Sequence, residues 1–406
     1  MTPHARRALF AVLVVAALFA GWRVYGQRQA ERLAATDPVQ ALQWRPGSAS
    51  ALLVLAERQL AQGQPRQAQA TARRLLRQTP LKGQAFRVLA AASDQLGDRE
   101  RAFRLYLIAA RRAPRDVPSR VWLAQRYLEA GKFDDALHHI DSLLRMAPQR
   151  AAGINPVLAR MAQVPAFADA LSRTLLRNPP WRDGLLTALQ KPGAGNADAA
   201  GRVMQYLQDH GGLSSEDYGR WLDSLMAQGR WGEAYARWAG SVVKPGGRLP
   251  LLYNGDFAQE PSSTGFDWRI RRVPGVLLDF LPEAGTGGQA AYLQFLDRRI
   301  PGAGLEQPLL LSPGGYRLRM RMRARALRSE LGLQWQVACV GPAGIVARSE
   351  PVQGDFPWRG VQLDFTIPQE GCPGQWLRLV NPVPAGAAQG VAGELWLADM
   401  ELSPST

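Results

Sequence analysis

Three residue types return in step along the first third of the chain, and that period leaves few choices for its fold. Glycine stands at Gly63, Gly97 and Gly131, alanine at Ala68, Ala102 and Ala136, and proline at Pro80, Pro114 and Pro148, each set spaced by 34 residues. Leu55, Leu89 and Leu123 keep the same step. A period of that length reads as a repeated pair of antiparallel helices: glycine closes the turn between them, alanine lets them approach, and proline ends the second. Such hairpins bury their apolar faces by stacking on their neighbours, so the expected product is an α-solenoid.

The third unit, "WLAQRYLEAGKFDDALHHIDSLLRMAP", resembles the tetratricopeptide repeat (TPR) family through Ala124, Tyr127, Gly131, Ala136 and Pro148. Residues 27–148 are therefore expected to form TPR-type repeats. A concave groove lined by the first helix of each hairpin would then dock a peptide or helix of a protein partner. Glu57, Arg87, Asp94 and Gln125 are its candidate contacts, though the same residues would serve as ordinary solvated positions. After Pro148 the register weakens, but Gly229, Ala234 and Trp238 restore the pattern out of step, so residues 149–240 read as degenerate helical repeats. The stretch "VVKPGGRLP" places a linker at 241–250.

Beyond it the apolar period changes to two, with glycine and proline between short runs. Tyr316 to Ala324, Leu331 to Cys339, Val361 to Ile367, Trp376 to Val380 and Leu395 to Leu402 read as strands of an antiparallel β-sandwich or jelly roll over residues 251–406. The segments "LLYNGDFAQ", "LLLSPGGYRLRMRMRA" and "GELWLADMEL" resemble jelly-roll carbohydrate-binding modules. The resemblance implies contact with a glycan and, in such modules, a structural calcium ion held near the first and last of these segments. Here Ala258 follows Phe257 where an acidic residue is usual, and only Asp399 follows Ala398 in the last strand. The oxygen cage is incomplete, and neither a metal nor another cofactor is expected.

Strand alternation sorts the sandwich residues by face. In "YRLRMRMRA", Leu318, Met320 and Met322 point one way and Arg317, Arg319, Arg321 and Arg323 the other. The same sorting leaves Gln334 and Gln336, Asp364, and Trp376 with Arg378 away from the core of their own strands. Gathered in one sheet, these side chains would suit an acidic polysaccharide: guanidinium forks grip carboxylates, amides pair with hydroxyls, and an indole stacks on a pyranose. The bland reading is a solvated outer sheet whose charges discourage edge pairing. Trp335 and Trp396 read as core.

Arg6 and Arg7 precede an apolar run from Ala8 to Trp22 that Arg23 interrupts. Residues 8–26 are thus expected to be an uncleaved membrane anchor, or less readily a signal, after a short cytoplasmic segment 1–7. Only Cys339 and Cys372 occur. They are expected either to pair across neighbouring strands in an oxidising compartment or to remain as two buried thiols. Together these readings predict a single-pass protein of a bacterial inner membrane with its bulk in the periplasm.

The net charge of +15 would ordinarily raise a nucleic-acid partner. The excess is almost wholly arginine, since Lys82, Lys132, Lys191 and Lys244 are the only lysines, and no nucleic-acid recognition motif accompanies it. Catalysis is not expected either. His4, His138, His139 and His210 are the only histidines, none in the sandwich, and Asp364, Glu394 and Asp399 form no readable pair. The chain reads as a non-catalytic envelope scaffold in exopolysaccharide production or export, with an assembly factor that binds only proteins, or a polysaccharide-modifying enzyme, as alternatives.

Overall fold

The computed structural model describes residues 3–191, 197–243, 247–282, 289–382 and 390–405, with side chains from Phe10 and then from Val12 onward. Contacts divide the described residues into two compact units, the first made of residues 3–189 and 197–212, the second of 190–191 and everything from Leu213 on.

The first unit is helical: α1 (Pro3–Leu33), α2 (Pro38–Trp44), α3 (Ala49–Ala61), α4 (Pro65–Gln78), α5 (Gly83–Gln95), α6 (Arg99–Arg112), α7 (Val117–Glu129), α8 (Phe133–Met146), α9 (Ala151–Met161), α10 (Pro165–Leu175), α11 (Arg182–Gln190) and α12 (Ala197–Asp209). The 34-residue period is explained atom by atom. Gly63, Gly97 and Gly131 hold φ of +70°, +85° and +69° between paired helices, a left-handed conformation that costs a residue with a Cβ about 1–2 kcal/mol. Ala68, Ala102 and Ala136 are completely buried at the helix crossings. Asp98 caps α6 by accepting from the Arg101 amide at 3.1 Å, and Asp116 caps α7 through the Ser119 amide at 3.1 Å.

No helix among the described residues is long and apolar enough to cross a membrane. That overturns the expectation of a single-pass inner-membrane protein with its bulk in the periplasm. The described apolar side chains, Phe10 and Val12 to Trp22, end at Arg23 and fall short of the roughly 20 needed to span a bilayer. The side chains of the expected segment 1–7, and of residues 8, 9 and 11 in the expected anchor, lie outside the described residues.

From Leu213 on, the second unit begins with α13 (Ser215–Ala227) and α14 (Trp231–Val242). Their text continues the repeats, and Gly229 turns between them at φ +78°, yet they pack with the sandwich. Of the expected linker, residues 244–246 lie outside the described residues. The sandwich strands are β1 (Arg269–Ile270), β2 (Val276–Pro282), β3 (Gln289–Arg298), β4 (Gly302–Leu309), β5 (Gly314–Arg328), β6 (Gln334–Cys339), β7 (Ile345–Arg348), β8 (Gly354–Ile367), β9 (Gln375–Val380) and β10 (Val391–Pro404). They form two five-stranded antiparallel sheets, a first in the order β1-β4-β9-β6-β7 and a second in the order β2-β3-β10-β5-β8.

Between the sheets lie Phe257, Trp268 and Trp335, all fully buried, with Leu318, Met320, Met322, Leu395 and Leu397 from the inward positions of the second sheet. The Trp268 indole donates to the Asn254 carbonyl at 2.9 Å, joining the first loop of the sandwich to its core. Cys339 and Cys372 form a disulfide.

Candidate functional site

Alternation along β5 is as expected: Leu318, Met320 and Met322 are buried, while Arg317, Arg319, Arg321 and Arg323 stand on the outer face of the second sheet. Asp364 joins them from β8, where it is the register partner of Arg317. The remaining candidates do not. Gln334, Gln336, Trp376 and Arg378 lie on β6 and β9, which belong to the first sheet. Alternation assigns a residue to a face of its own strand, but which sheet a strand joins depends on hydrogen bonds between segments far apart in the chain.

The outer face of the first sheet is already in use. Trp376 meets Trp231 of α14 edge-on at 6.0 Å, and Trp231 in turn meets Phe266 at 5.9 Å. A Cβ on Gly374 would strike the Trp231 ring, so glycine there is what permits the approach. Arg269 pairs with Asp223 of α13 at 2.7 Å and lies 5.3 Å from the Trp376 ring centre. Arg378 donates at 2.9 Å to Glu306, a buried carboxylate that also takes Arg271. Trp376 and Arg269 thus hold the helical hairpin to the sheet, while Arg378 ties β9 to β4 within it.

On the second sheet the arginine row has company from two other strands, β8 and β10. Arg317 donates to Asp364 at 2.6 Å, and Gln362 donates to the other oxygen of that carboxylate at 2.6 Å. These two bonds, Arg317 first, hold the Asp364 carboxyl below its usual range. Arg321 pairs with Asp399 at 3.0 Å, and Arg325 pairs with Glu394. All three pairs are partly solvated, a setting in which an ion pair contributes about 0–1 kcal/mol.

At the centre of the face lies an aromatic row that sequence reasoning missed. Trp396 sits between Tyr292 on β3 and Arg323 on β5 as register partner of both. The Tyr292 and Trp396 rings are 5.0 Å apart, and the Arg323 guanidinium lies 4.1 Å from the Trp396 ring centre and 5.4 Å from that of Trp358. Tyr292 donates to Glu394 at 2.8 Å; burial first, then that bond, raises the phenol above its ordinary pKa. Ala290 and Ala398, both fully buried, make a small-residue floor beside the row. A cleft of about 480 Å³ opens there, lined by Arg323, Arg325, Asp355, Phe356, Pro357 and Trp396. The missed signal was alternation in "ELWLADMEL": with Leu395 and Leu397 inward, Trp396 has to face outward, and it is buried by its neighbours on that face.

In the helical unit the expected groove residues divide in two. Arg87 links three hairpins by pairing with Glu57 and, at 2.9 Å, with Asp116, so these candidates serve the array itself. Asp94 and Gln125 line a pocket of about 310 Å³ with Arg99, Trp122, Arg126 and Glu129. There Asp94 accepts from the Trp122 indole at 3.0 Å, and Arg126 and then Gln125 hold the Glu129 carboxyl below its usual range. Among the described residues, no group of three or more histidine, cysteine, aspartate or glutamate side chains is placed to hold a metal ion. Asp399, which follows Ala398 in the last strand near the expected calcium position, is tied to Arg321.

No protein-family model and no curated protein matches the sequence. Solved structures similar to parts of the chain include carbohydrate-binding modules and TPR proteins. A CBM4 module is 15% identical, covering 38% of this chain and 99% of its own, with a TM-score of 0.30. The CBM22-1 xylan-binding domain of Paenibacillus barcinonensis Xyn10C is 12% identical, covering 37% of this chain and 91% of its own, with a TM-score of 0.27. YrrB, a TPR protein with an unusual peptide-binding site, is 12% identical, covering 47% of this chain and 93% of its own, with a TM-score of 0.30.

Proposed function

We propose that this chain is a non-catalytic binding protein whose sandwich holds an acidic polysaccharide on the outer face of its second sheet, while the helical array docks a protein. That pairing suits a scaffold in the production or export of a surface polysaccharide. The observation that carries the reading is the transverse row Tyr292, Trp396, Arg323 and Trp358, bordered by Arg321 and Arg325. It sets planar rings beside guanidinium forks at the spacing of adjacent strands, the combination that an anionic, hydroxyl-rich chain requires.

The carboxylates of this face support a non-catalytic role. Asp364, Asp399 and Glu394 are each bound to an arginine, and for Asp364 the bonds from Arg317 and Gln362 hold the carboxyl below its usual range, whereas a glycosidase acid must keep its proton near neutral pH. A second reading, an assembly factor that binds only proteins, draws on the same pairs, because they offset part of the positive charge that an anion would seek.

Titration calorimetry of the full chain with hexagalacturonate and with a neutral dextran oligosaccharide separates the two. Acidic-ligand binding that weakens as salt rises, absent for dextran and reduced about 10-fold or more in Arg321→Ala/Arg325→Ala, is the expected result. Failure to bind either oligosaccharide at any salt concentration sinks the glycan reading and leaves the protein-only one.

A further inference from the structure

The positive charge of the chain is unevenly placed. Residues 213–406 hold 19 basic and 19 acidic side chains, so the whole excess of +15 falls in residues 1–212, where 30 basic side chains face 15 acidic ones. It is densest around α4 and α6, since residues 58–115 carry 13 basic side chains and three acidic ones. Packing of the repeats gathers part of that charge. A Cβ on Gly83 would lie 2.6 Å from the Cβ of Ala113, so glycine is what lets the first turn of α5 close on the end of α6. That approach sets the loop after α4 against the loop after α6, and Lys82, Arg112 and Arg115 line one cleft of about 520 Å³ between them.

Arg112 and Arg115 are exposed and Lys82 is half-buried, and among the described residues none of the three takes part in an ion pair. Asp116, the acidic residue that lines the cleft, is buried and already engaged by Arg87 at 2.9 Å and by the Ser119 amide at 3.1 Å. Leu81, 70% exposed, adds an apolar surface beside the cations. No aromatic ring among the described residues lines the cleft.

We infer that the partner of the helical array is a protein with an acidic segment, and that this segment docks at the cleft of Lys82, Arg112 and Arg115. This rests on the reading of the array as a protein-docking element. Three like charges around one cleft repel one another, a cost that the carboxylates of a partner remove, and the two guanidinium forks can take them bidentately. A polysaccharide or a nucleic acid would draw on rings to stack its sugars or bases. The cleft offers an aliphatic leucine instead, which suits an apolar side chain set among acidic ones. The expected groove residues have less to give, because Arg87 is paired with Glu57 and Asp116, and Asp94 accepts from Trp122.

The test selects short random peptides, displayed on phage, against the full-length protein at physiological salt. The selected peptides are expected to be rich in aspartate and glutamate. Their synthetic forms should bind more weakly as salt rises, and about 10-fold more weakly to Lys82→Ala/Arg112→Ala/Arg115→Ala. A control removes as many exposed charges elsewhere on the array, Arg150→Ala/Arg160→Ala/Arg202→Ala, and should change little. Equal losses in the two variants would show that net charge alone is read and would overturn the inference. Peptides without acidic residues, or acidic ones indifferent to the cleft variant, would overturn it and leave the docking reading standing. Selection of no peptide at all would end the docking reading and this inference with it. Displacement of the peptides by lower concentrations of hexagalacturonate or an oligothymidylate would assign the cleft to a polysaccharide or a nucleic acid instead. Lys82→Gln/Arg112→Gln/Arg115→Gln repeats the measurement if the alanine variant folds poorly.

Discussion

In the helical unit one small set of residues recurs every 34 positions, and each hairpin settles mainly on the next. In the sandwich, by contrast, Gln307 donates to the carbonyl of Tyr253, Leu311 to the side chain of Gln375, and Asn381 to the carbonyl of Ile300, across separations of 54, 64 and 81 residues. The array uses alanine where helices cross; the sandwich fills its centre with Trp268, Trp335 and Phe257. Local, repeated contacts write themselves into sequence as a period. Contacts made once between distant segments leave no such trace, which is why the array could be read residue by residue and the sheets could not.

The largest test of that contrast concerns α13 and α14, helices by sequence and part of the sandwich by packing. Trp231→Ala removes a nearly buried indole that touches Trp376 and Phe266, and a destabilisation of about 3–5 kcal/mol is expected. Hydrogen exchange read by mass spectrometry should show reduced protection in β4, β6 and β9 and not in α3–α8. An equal reduction in both sets would mean that the two units do not unfold separately.

A pH titration sharpens the comparison. His139 in α8 is pushed down to about 4 by its burial first, then by His138 and Arg120. Its folded-state pKa is therefore below the unfolded value near 6.5, so the unfolded chain takes up the proton first as pH falls. The array should lose stability between about pH 6.5 and 4, on the order of 3 kcal/mol in all, and be unaffected by this group above that window. His139→Gln should flatten the curve, measured by urea denaturation at each pH. The sandwich, with no histidine after His210, should show no matching change.

The smallest effect tests the repeat itself. No atom lies within 4 Å of a Cβ built on Gly63, Gly97 or Gly131, so alanine there meets only backbone cost. Each single substitution is expected to destabilise the array by about 1 kcal/mol, and the three values should agree closely in thermal denaturation. Unequal values would show that the hairpins are less alike than their spacing implies.

Much of the candidate face was legible strand by strand. Alternation placed Arg317, Arg319, Arg321 and Arg323 outward, with Asp364 turned to the same side, because the pleat has a strict period of two. It also placed Gln334, Gln336, Trp376 and Arg378 outward, and there it misled: the sheet they belong to has α14 against its outer face. Tyr292 and Trp358 were overlooked because nothing within β3 or β8 marks them as neighbours of Trp396. The membrane reading of the N-terminal run depended on length, and the described part of that run is too short.

By itself the sequence determined the helical period, the turn glycines and crossing alanines that make it, the change to strands after residue 250, and the face that each strand residue takes. These are properties of segments a few residues to a few dozen long, set by backbone geometry and local sterics. Only the tertiary structure decided how ten strands divide between two sheets, that a helical hairpin packs with one of them, and that Trp396 lies beneath Arg323. Those outcomes depend on which distant surfaces bury the most apolar area together, a comparison among whole arrangements that no single segment contains.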